Sequence, residues 1–553
     1  MRIFLRLLFL SFITLSSPSL VQAAPDAGTL ERDVKQQPDV QKPARDIPPI
    51  DTPEASKPPT KKGGVNVFVR AFKFKGNTQF SHEQLEHVLA PYLNQKLTFN
   101  QMRTATRTIE TFYRDAGWLA RAGLPKQDVT EGVITIKIIE ARFAGAQIKD
   151  RSTATRINPD VIAKIVNDVS PLNQRVNIQA LERSILIADD LPGVNVSGAL
   201  SAGERPAETA LQLSLSDEPL VSGGVGINNH GSRSTGSTRR WASLNLNSPS
   251  KRGDLLTSYL IRSRGSDYIQ LGYSLPAALP GLRVGAKVAY MDYKLVSREF
   301  AALDAKGDFK SFGINASYPL IRSHQQNLSL AIDLTRKRYA NEALSTTQSN
   351  YSINGLAFSL AGNMPDKLAG GGINSANTSL TLGNVRLGAR EISEDGALEG
   401  SFNKLTLGAS RLQFIAHNTE LLALVAAQLA DQHLDSSERF YIGGANDVRA
   451  YPNSEASGSQ GWRISFELRR RLPQNFTLAG FYDMGRVYNK NASPDYGLKG
   501  MGVKARWKNT KGVKAEAAWS RRIGSNPNPT ATGNDQDGSL DKNRLWLSLS
   551  WGF

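Results

Sequence analysis

The sequence predicts two small α+β domains followed by an all-β transmembrane barrel of sixteen antiparallel strands. A strand, helix, helix, strand, strand pattern runs over residues 67–142 and returns over residues 143–218. From Pro219 to Phe553 the hydrophobic pattern changes to period two, without helical segments. Because strands cross a lipid bilayer only when every edge is paired, this long alternating region predicts a closed barrel.

The composition limits the classes of function. The chain has 67 Lys+Arg against 50 Asp+Glu and a net charge of +17. No basic run is longer than Arg469–Arg471 and no aromatic-basic motif accompanies it, so we predict no nucleic-acid partner. A basic lumen or contact with anionic outer-membrane lipid fits the charge better. The absence of cysteine excludes disulfides, thiolate metal sites and cysteine nucleophiles.

Residues 1–23 have the pattern of a secretory signal peptide. Arg2 and Arg6 precede an apolar core over residues 7–15, and small residues around Ala23 mark the cleavage site. The rest of the chain has no run of about twenty apolar residues, so a membrane role would have to use strands.

Residues 24–66 are crowded with prolines and charges, which predicts an extended linker. Residues 29–36 could form a short helix within it. A disordered tether is the alternative, because the segment is short and shows no clear apolar face.

The first α+β domain is predicted over residues 67–142. Its strands are expected at 67–75 and 133–139, and Gly117 is expected to end the second helix. Two capping boxes predict where its helices begin, Ser81 with Gln84 and Thr98 with Gln101.

The second domain, over residues 143–218, repeats this plan. A strand opens it at 143–149, and Asn158 followed by Pro159 predicts the cap and first turn of a helix. A second helix is predicted around Ile185, and strands are predicted at 194–200 and 209–215.

Sixteen strands are predicted in the barrel, residues 219–553. An even number suits a closed antiparallel barrel whose two ends lie on the same side of the membrane. The strands are expected near 219–228, 237–247, 254–263, 267–274, 282–293, 310–318, 326–336, 350–361, 372–382, 402–414, 419–430, 462–470, 475–485, 497–507, 512–521 and 544–553.

The connection at residues 431–461 is far longer than a hairpin turn requires, which indicates a functional loop. Gly443 and Gly444 allow the chain to fold back, and apolar neighbours would carry Arg449 into the interior. A buried guanidinium needs a partner. The best candidate is Asp483, an aspartate whose strand alternation points it inward.

These residues carry a resemblance to the outer-membrane transporters of two-partner secretion, within the Omp85 superfamily. The stretch FYIGG…VRAY resembles the inward-loop motif of that family, and Phe481, Asp483 and Gly485 resemble the wall motif that receives its arginine. Ala450 stands where the family usually has glycine. The loop-motif positions are Phe440, Gly443, Gly444, Val448, Arg449 and Tyr451.

The α+β domains resemble the two POTRA domains of the same family. The stretch from Tyr113 to Trp118 is similar to the first POTRA domain, and residues 190–194 are similar to a turn of the second. The family usually has tyrosine where Trp118 stands and Glu-Gly where this chain has Glu140-Ala141. The alternating last strand and the terminal Phe553 resemble an outer-membrane assembly signal, which implies the barrel-assembly machinery as a partner.

The resemblance implies an outer-membrane translocator with its POTRA domains in the periplasm. Its expected partner is the unfolded N-terminal region of a large exoprotein, such as an adhesin, a haemolysin or a contact-dependent toxin. Residues 29–36 would then plug the pore at rest, and the Arg449–Asp483 pair would hold the loop in a transport-competent state. A static ion pair without a transport role is the alternative for that pair.

Motifs of catalysis are missing from the sequence. The six histidines show no metal-ligand spacing, and there is neither a G-x-S-x-G elbow nor a phosphate-binding loop. We therefore expect no enzyme activity, no metal and no cofactor. The main alternative function is an Omp85-type insertase that assembles other outer-membrane proteins. A lipase and a passive porin are weaker alternatives, since the first lacks its nucleophile motif and the second has no use for a POTRA pair.

Overall fold

The computed structural model describes residues 24–35, 66–149, 155–388, 398–488, 495–530 and 532–553. The predicted signal peptide and residues 36–65 of the predicted linker lie outside the described residues. The first described element is helix α1, Ala27–Lys35. No helix within the described ranges has the length and apolarity to span a bilayer.

The first α+β domain contains a three-stranded sheet, a two-stranded sheet and two helices. Both predicted capping boxes form, so Ser81 and Thr98 are the N-caps of their helices. The single strand predicted over 67–75 is divided at Arg70, because the Arg70 amide donates instead to the carbonyl of Gly132. The elements are β1 (Val67–Val69), β2 (Ala71–Lys75), α2 (His82–Leu89), β3 (Gln95–Leu97), α3 (Phe99–Asp115), β4 (Ala120–Gly123) and β5 (Val133–Glu140).

The second domain has a three-stranded sheet in the order β6-β8-β7 with two helices packed on it. The Asn158 side chain caps the first helix at the Asp160 amide, and Pro159 occupies its first turn. The elements are β6 (Arg142–Ile148), α4 (Pro159–Val169), α5 (Ile178–Asp189), β7 (Val194–Ala202) and β8 (Glu208–Asp217).

Sixteen strands of the described chain form one closed antiparallel barrel, and they follow the order predicted from the sequence. Two further short strands, β20 and β21, pair with each other inside a loop. In chain order the strands are β9 (Val221–Asn228), β10 (Arg239–Asn247), β11 (Leu255–Arg262), β12 (Ser266–Pro276), β13 (Arg283–Lys294), β14 (Lys306–Arg322), β15 (Asn327–Ala343), β16 (Thr346–Asp366), β17 (Gly372–Leu387), β18 (Gly400–Ala416), β19 (Thr419–Ala430), β20 (Phe440–Ile442), β21 (Ala456–Gly458), β22 (Gln460–Arg471), β23 (Phe476–Tyr488), β24 (Tyr496–Lys508), β25 (Val513–Arg522) and β26 (Asn543–Gly552).

The barrel closes between its first strand, β9, and its last, β26. Five residue pairs join them, from Ser548 with Asn228 to Gly552 with Gly224. Strands β14 to β18 are the longest in the wall and exceed the lengths predicted from the sequence. The last strand alternates as predicted, since Leu547 and Leu549 are exposed on the outer face and Trp546 is buried inside.

The second α+β domain contacts the barrel at the end where β9 begins. Arg322 forms a bidentate ion pair with Asp190, at 2.8 and 2.9 Å. Arg183 donates to the carbonyl of Pro319 at 2.6 Å. These contacts hold α5 against the turn between β14 and β15.

Candidate functional site: the inward loop and its wall partners

The loop that connects β19 to β22 folds back into the barrel. Its two short strands, β20 and β21, form a hairpin. Ile442, Val448 and Tyr451 are buried against Val487 and Leu498 of the wall. The sequence predicted the loop and its buried position, but it gave no signal for the hairpin, whose strands are only three residues long.

The glycine pair lies where the loop turns after β20. Both residues have left-handed backbones, with φ of +112° at Gly443 and +113° at Gly444. A β-carbon at Gly443 would collide with the carbonyl of Pro452. A substitution here would therefore combine backbone strain with a steric clash.

Arg449 reaches two strands of the barrel wall. Its Nε and Nη2 atoms donate to the two oxygens of Asp483 on β23, at 2.8 and 2.7 Å. Its Nη1 atom donates to Glu467 on β22 at 3.0 Å. The side chain of Arg449 is 8% exposed, and those of Asp483 and Glu467 are 1% and 5% exposed. The predicted Arg449–Asp483 contact is therefore present, and Glu467 is a second acidic partner that sequence reasoning missed.

The rest of Arg449 is also held. Its guanidinium lies 3.4 Å from the ring centroid of Phe481, within cation–π distance. Its carbonyl accepts hydrogen bonds from Ser520 of β25 and Trp546 of β26, at 2.6 and 2.7 Å. Only the fold shows that the indole N–H of Trp546 meets the loop.

Glu467 connects Arg449 to two further cations. Lys504 lies 2.8 Å from this carboxylate, and Arg469 lies 2.6 Å from it. Asp447, also in the loop, pairs with Arg463 of β22. Both buried charges of the loop tip, Asp447 and Arg449, thus have opposite charges on the wall, as low-dielectric burial requires.

Ala450 fits its position because a glycine faces it. A β-carbon on Gly500 of β24 would overlap the β-carbon of Ala450, so Gly500 leaves the space that the Ala450 methyl group fills. Gly485 sits in a similar close contact beside Ile442. The close approach of loop and wall therefore depends on small residues of the wall.

Comparison with known proteins places the chain in a family. The model of the haemolysin secretion/activation protein ShlB/FhaC/HecB matches residues 207–507, and the model of the ShlB-type POTRA domain matches residues 67–141. The chain belongs to the ShlB/FhaC/HecB family.

Curated relatives and a solved structure agree with the assignment. The chain is 24% identical to the heme/hemopexin transporter protein HuxB of Haemophilus influenzae, over 97% of this chain and 96% of that protein. It is 24% identical to the outer membrane transporter CdiB of Dickeya dadantii, over 79% of this chain and 80% of that protein. The structure of CdiB from Escherichia coli superposes with a TM-score of 0.72 at 21% identity, covering 92% of this chain and 94% of that one.

This member of the ShlB/FhaC/HecB family is therefore an outer-membrane β-barrel transporter of two-partner secretion with periplasmic POTRA domains. The turns next to the POTRA domains face the periplasm, and the opposite end of the barrel faces outward. The inward loop enters from the outer end.

Helix α1 lies inside the barrel of this ShlB/FhaC/HecB protein, beside the inward loop. Ala27, Leu30 and Val34 are buried against the wall. These positions form an apolar face on one side of the helix, contrary to the expectation from sequence that the segment lacks one. A β-carbon on Gly28 would lie 2.9 Å from the amide of Ser437 in the loop, so the helix and the loop are in close contact.

Polar contacts tie α1 to both the loop and the wall. Ser454 of the loop donates to Asp33 at 2.7 Å, and Arg32 donates to the loop carbonyl of Arg439 at 3.0 Å. The Ala27 amide donates to Asn341 of β15 at 2.9 Å. Displacing either the helix or the loop would therefore break contacts of the other.

The seam between β9 and β26 is extended by a side chain. The Asn229 amide group donates to the carbonyl of Leu545 at 2.8 Å and accepts from the amide of Leu547 at 2.7 Å. The terminal residue, Phe553, pairs with Gly223 through two backbone hydrogen bonds. Asn229 thus continues the strand pairing beyond the regular ladder.

Glu140 joins the first POTRA domain to the second. Its carboxylate accepts from the Thr78 and Gln79 amides at 2.6 and 2.9 Å and from the Tyr113 hydroxyl at 3.0 Å. Arg175 of the second domain donates to it at 2.9 Å. Burial alone would raise the pKa of Glu140, but hydrogen bonds led by those from Thr78 lower the pKa to about 2.

Among the described residues no group of His, Cys, Asp and Glu side chains has the geometry to hold a metal ion. His82, one of the histidines considered in the sequence, instead accepts a hydrogen bond from the Phe74 amide of β2 at 3.2 Å.

Proposed function

We propose that this two-partner secretion transporter exports a large exoprotein as an unfolded chain. The POTRA domains capture its N-terminal region, and the barrel conducts it outward. The exported partner is an adhesin, a haemolysin or a contact-dependent toxin. Transport requires no catalytic step from this chain. Insertion of the barrel itself is assigned to the barrel-assembly machinery through the terminal strand and Phe553.

The single observation that carries this proposal is the arrangement of the barrel interior. The lumen is occupied by two elements that the wall holds through side-chain contacts: the inward loop, through Arg449 and Asp483, and helix α1, through Asn341. A conduit for an unfolded chain must be closed when empty and must open when occupied. Side-chain contacts of this kind can be exchanged without unfolding the wall.

For capture, we propose the edge strand β2 of the first POTRA domain. In the sheet order β2-β5-β4, no strand of the described ranges pairs with the outer side of β2, and α2 packs against this strand. An extended polypeptide can add to such an edge through backbone hydrogen bonds. His82 of α2 occupies the Phe74 amide on this strand, so a client strand would have to pair with the other backbone groups or displace His82.

The Arg449–Asp483 pair is proposed to hold the loop in the state that permits transport. The loop motif would be completed by Phe440, Gly443, Gly444, Val448 and Tyr451, and the wall motif by Phe481 and Gly485. The support is geometric, because Arg449 contacts β22 and β23 through its side chain and β25 and β26 through its carbonyl. A residue that touches four strands can transmit the position of the loop to the wall.

The experiment is a secretion assay in cells with and without this chain. The probe is the N-terminal secretion fragment of the large exoprotein encoded beside it, and the levels of unrelated outer-membrane barrels are measured in the same cells. We expect the fragment in the medium only when the chain is present, with the other barrels unchanged. If secretion of the fragment does not depend on the chain, and the levels of the other barrels fall when the chain is absent, the chain is an insertase and the proposal is wrong.

A further inference from the structure

The barrel contains a cavity of about 910 Å³ below the inward loop, on the periplasmic side. Residues 445–449 of the loop and Arg32 of α1 line one end of the cavity. Asn327 and Asn363 line the other, close to the periplasmic turns of β15 and β16. A polypeptide that enters the barrel from the POTRA side would therefore reach this cavity before it reaches the loop.

The two sides of the cavity differ in chemistry. Among the described residues, none of those that line the cavity from β15 to β19 is charged. We call this side the neutral wall, represented by Ser329, Asn363, Ser375, Asn377, Gly408 and Ser410. The opposite side, the charged wall on β22 to β25, is represented by Arg463, Glu467, Arg469, Lys504, Arg506 and Glu516.

The charges of the charged wall are paired with one another or with the loop. Glu467 contacts Lys504 and Arg469. Arg506 pairs with Glu516 at 2.8 Å, and Arg463 pairs with Asp447. The charged side chains of this wall are therefore already in ion pairs. These pairs lie within the wall or join the wall to the loop.

Four polar side chains of the neutral wall are available. The side chains of Ser329, Ser375, Asn377 and Ser410 make no hydrogen bond to any described residue, and Ser375 and Asn377 are exposed to the cavity. In the register of β17 with β18, Ser375 lies opposite Ser410, and Asn377 lies opposite Gly408. The Asn377 side chain lies over Gly408, since a β-carbon on Gly408 would collide with Asn377 Oδ1.

We propose that the neutral wall is the first binding surface in the barrel for the backbone of the exported polypeptide, in extended form. This inference rests on the proposed function and adds the location and chemistry of the contact. An unfolded chain that leaves bulk water carries amide and carbonyl groups that need new partners. Serine hydroxyls and asparagine amides both donate and accept, so they can serve these groups whatever the client side chains are.

The absence of charge suits movement as well as binding. A conduit needs contacts that are favourable enough for entry and weak enough for exit. Fixed charges would hold oppositely charged client residues and repel others. A wall of small neutral residues avoids both effects and leaves room for client side chains.

The chain has no cysteine, so single cysteines can report contact directly. Asn377→Cys and Ser410→Cys place a thiol on the neutral wall. Ser243→Cys is the matched control, because Ser243 is also an inward-facing serine but lies on β10, outside the cavity lining. The probe is the same exoprotein fragment with one cysteine, fused to a domain that folds before export and arrests the fragment in the barrel.

We expect disulfide-linked fragment at positions 377 and 410, severalfold above position 243. Equal linkage at all three positions would show a client without a preferred side and would overturn the inference. So would an absence of linkage at 377 and 410 while the fragment without the arresting domain is still exported. If the cysteine-free chain exports no fragment at all, the proposed function itself has failed, and the inference fails with it.

A second measurement uses export instead of linkage. Asn377→Arg and Ser410→Arg should lower export severalfold, whereas Ser243→Arg should leave it near that of the unmodified chain. The heat-dependent gel mobility of the folded barrel shows whether each variant is inserted. Normal export by inserted Asn377→Arg and Ser410→Arg variants would overturn the inference.

Discussion

The contact of Arg449 with Asp483 and Glu467, which we call the loop anchor, and the Glu140 contact at the junction between the POTRA domains both place a charge in a buried position. The buried charge that each contact must stabilise has the opposite sign. At the anchor, the loop carries an arginine, and two carboxylates on the wall receive it. At the junction, the first domain carries the Glu140 carboxylate. Most of the hydrogen bonds to this carboxylate come from uncharged donors of the same domain. Only one partner of Glu140, Arg175, comes from the second domain, and its side chain is 24% exposed.

This difference predicts how each contact fails. The anchor depends on two separate elements, so removing its arginine leaves the buried Asp483 without its cationic partner and frees the loop. Glu467 keeps Lys504 and Arg469. The Glu140 carboxylate is held mainly by donors of its own domain, so removing Arg175 should change the stability of the first domain little. Mutations can test each side of this comparison.

The largest expected effect is that of Arg449→Ala. Breaking a buried ion pair by removing one partner costs about 3–5 kcal/mol. Because the wall strands remain paired to each other, we expect the loop to leave its seat while the barrel still inserts. Secretion of the exoprotein fragment should fall far more than the amount of heat-modifiable barrel in the outer membrane.

Arg506→Ala is the matched control for Arg449→Ala. Arg506 is also an interior arginine in an ion pair, but its side chain is 46% exposed and its partner Glu516 is on the neighbouring strand. Exposed pairs contribute about 0–1 kcal/mol, so secretion should change little. If Arg449→Ala reduces insertion as much as secretion, the arginine has a structural role only.

The next effect is that of Glu140→Gln at the junction. The pKa of Glu140 lies at about 2, below its ordinary value of 4.5, so the folded state favours the ionised carboxylate. This difference corresponds to roughly 3 kcal/mol of stability at neutral pH. Hydrogen exchange of the full chain should show faster exchange at the Thr78 and Gln79 amides in Glu140→Gln than in the unmodified protein.

The same group predicts a pH dependence with a definite sign. Because the folded-state pKa is depressed, the stabilisation is complete above about pH 4.5 and is lost as the pH falls towards 2. Protection of the Thr78 and Gln79 amides should fall over this window in the unmodified chain and should be flatter in Glu140→Gln. If protection falls with pH in the same way in both proteins, Glu140 is not the group responsible for the pH dependence.

Asp483→Asn should have an intermediate effect. The amide keeps the size of the carboxylate and one hydrogen-bond acceptor, and Glu467 still faces Arg449 at 3.0 Å. Losing one charged hydrogen-bond partner costs about 1.5–3 kcal/mol. Secretion should therefore fall less than in Arg449→Ala, and protease access to the loop in intact cells should rise. An effect larger than that of Arg449→Ala would show that the wall does not share the charge between two carboxylates.

The smallest expected effect is that of Arg175→Ala. Glu140 would keep its Thr78, Gln79 and Tyr113 donors, so the cost should be about 0–1 kcal/mol, as for a partly exposed pair. Exchange at the Thr78 amide should stay close to that of the unmodified chain. A loss of protection as large as that of Glu140→Gln would show that Arg175, and not the uncharged donors, stabilises the Glu140 carboxylate.

The sequence by itself determined the order of the elements. Period-two alternation is a local property, so it gave the sixteen strands in order and placed Arg449 on the connection before the twelfth strand and Asp483 on the thirteenth. The capping boxes at Ser81 and Thr98 are also local, because each joins residues only three positions apart. A buried arginine in a glycine-containing loop and an inward aspartate on an apolar strand were enough to predict their contact.

The tertiary structure alone decided which distant residues complete these contacts. Glu467, Ser520 and Trp546 meet Arg449 from three different strands, and sequence periodicity gives the face of a residue but not its height in a closed barrel. The seating of α1 likewise depends on residues such as Asn341, which lies more than three hundred positions away in the chain. Strand register and barrel closure set these distances, and both result from pairing along the whole wall.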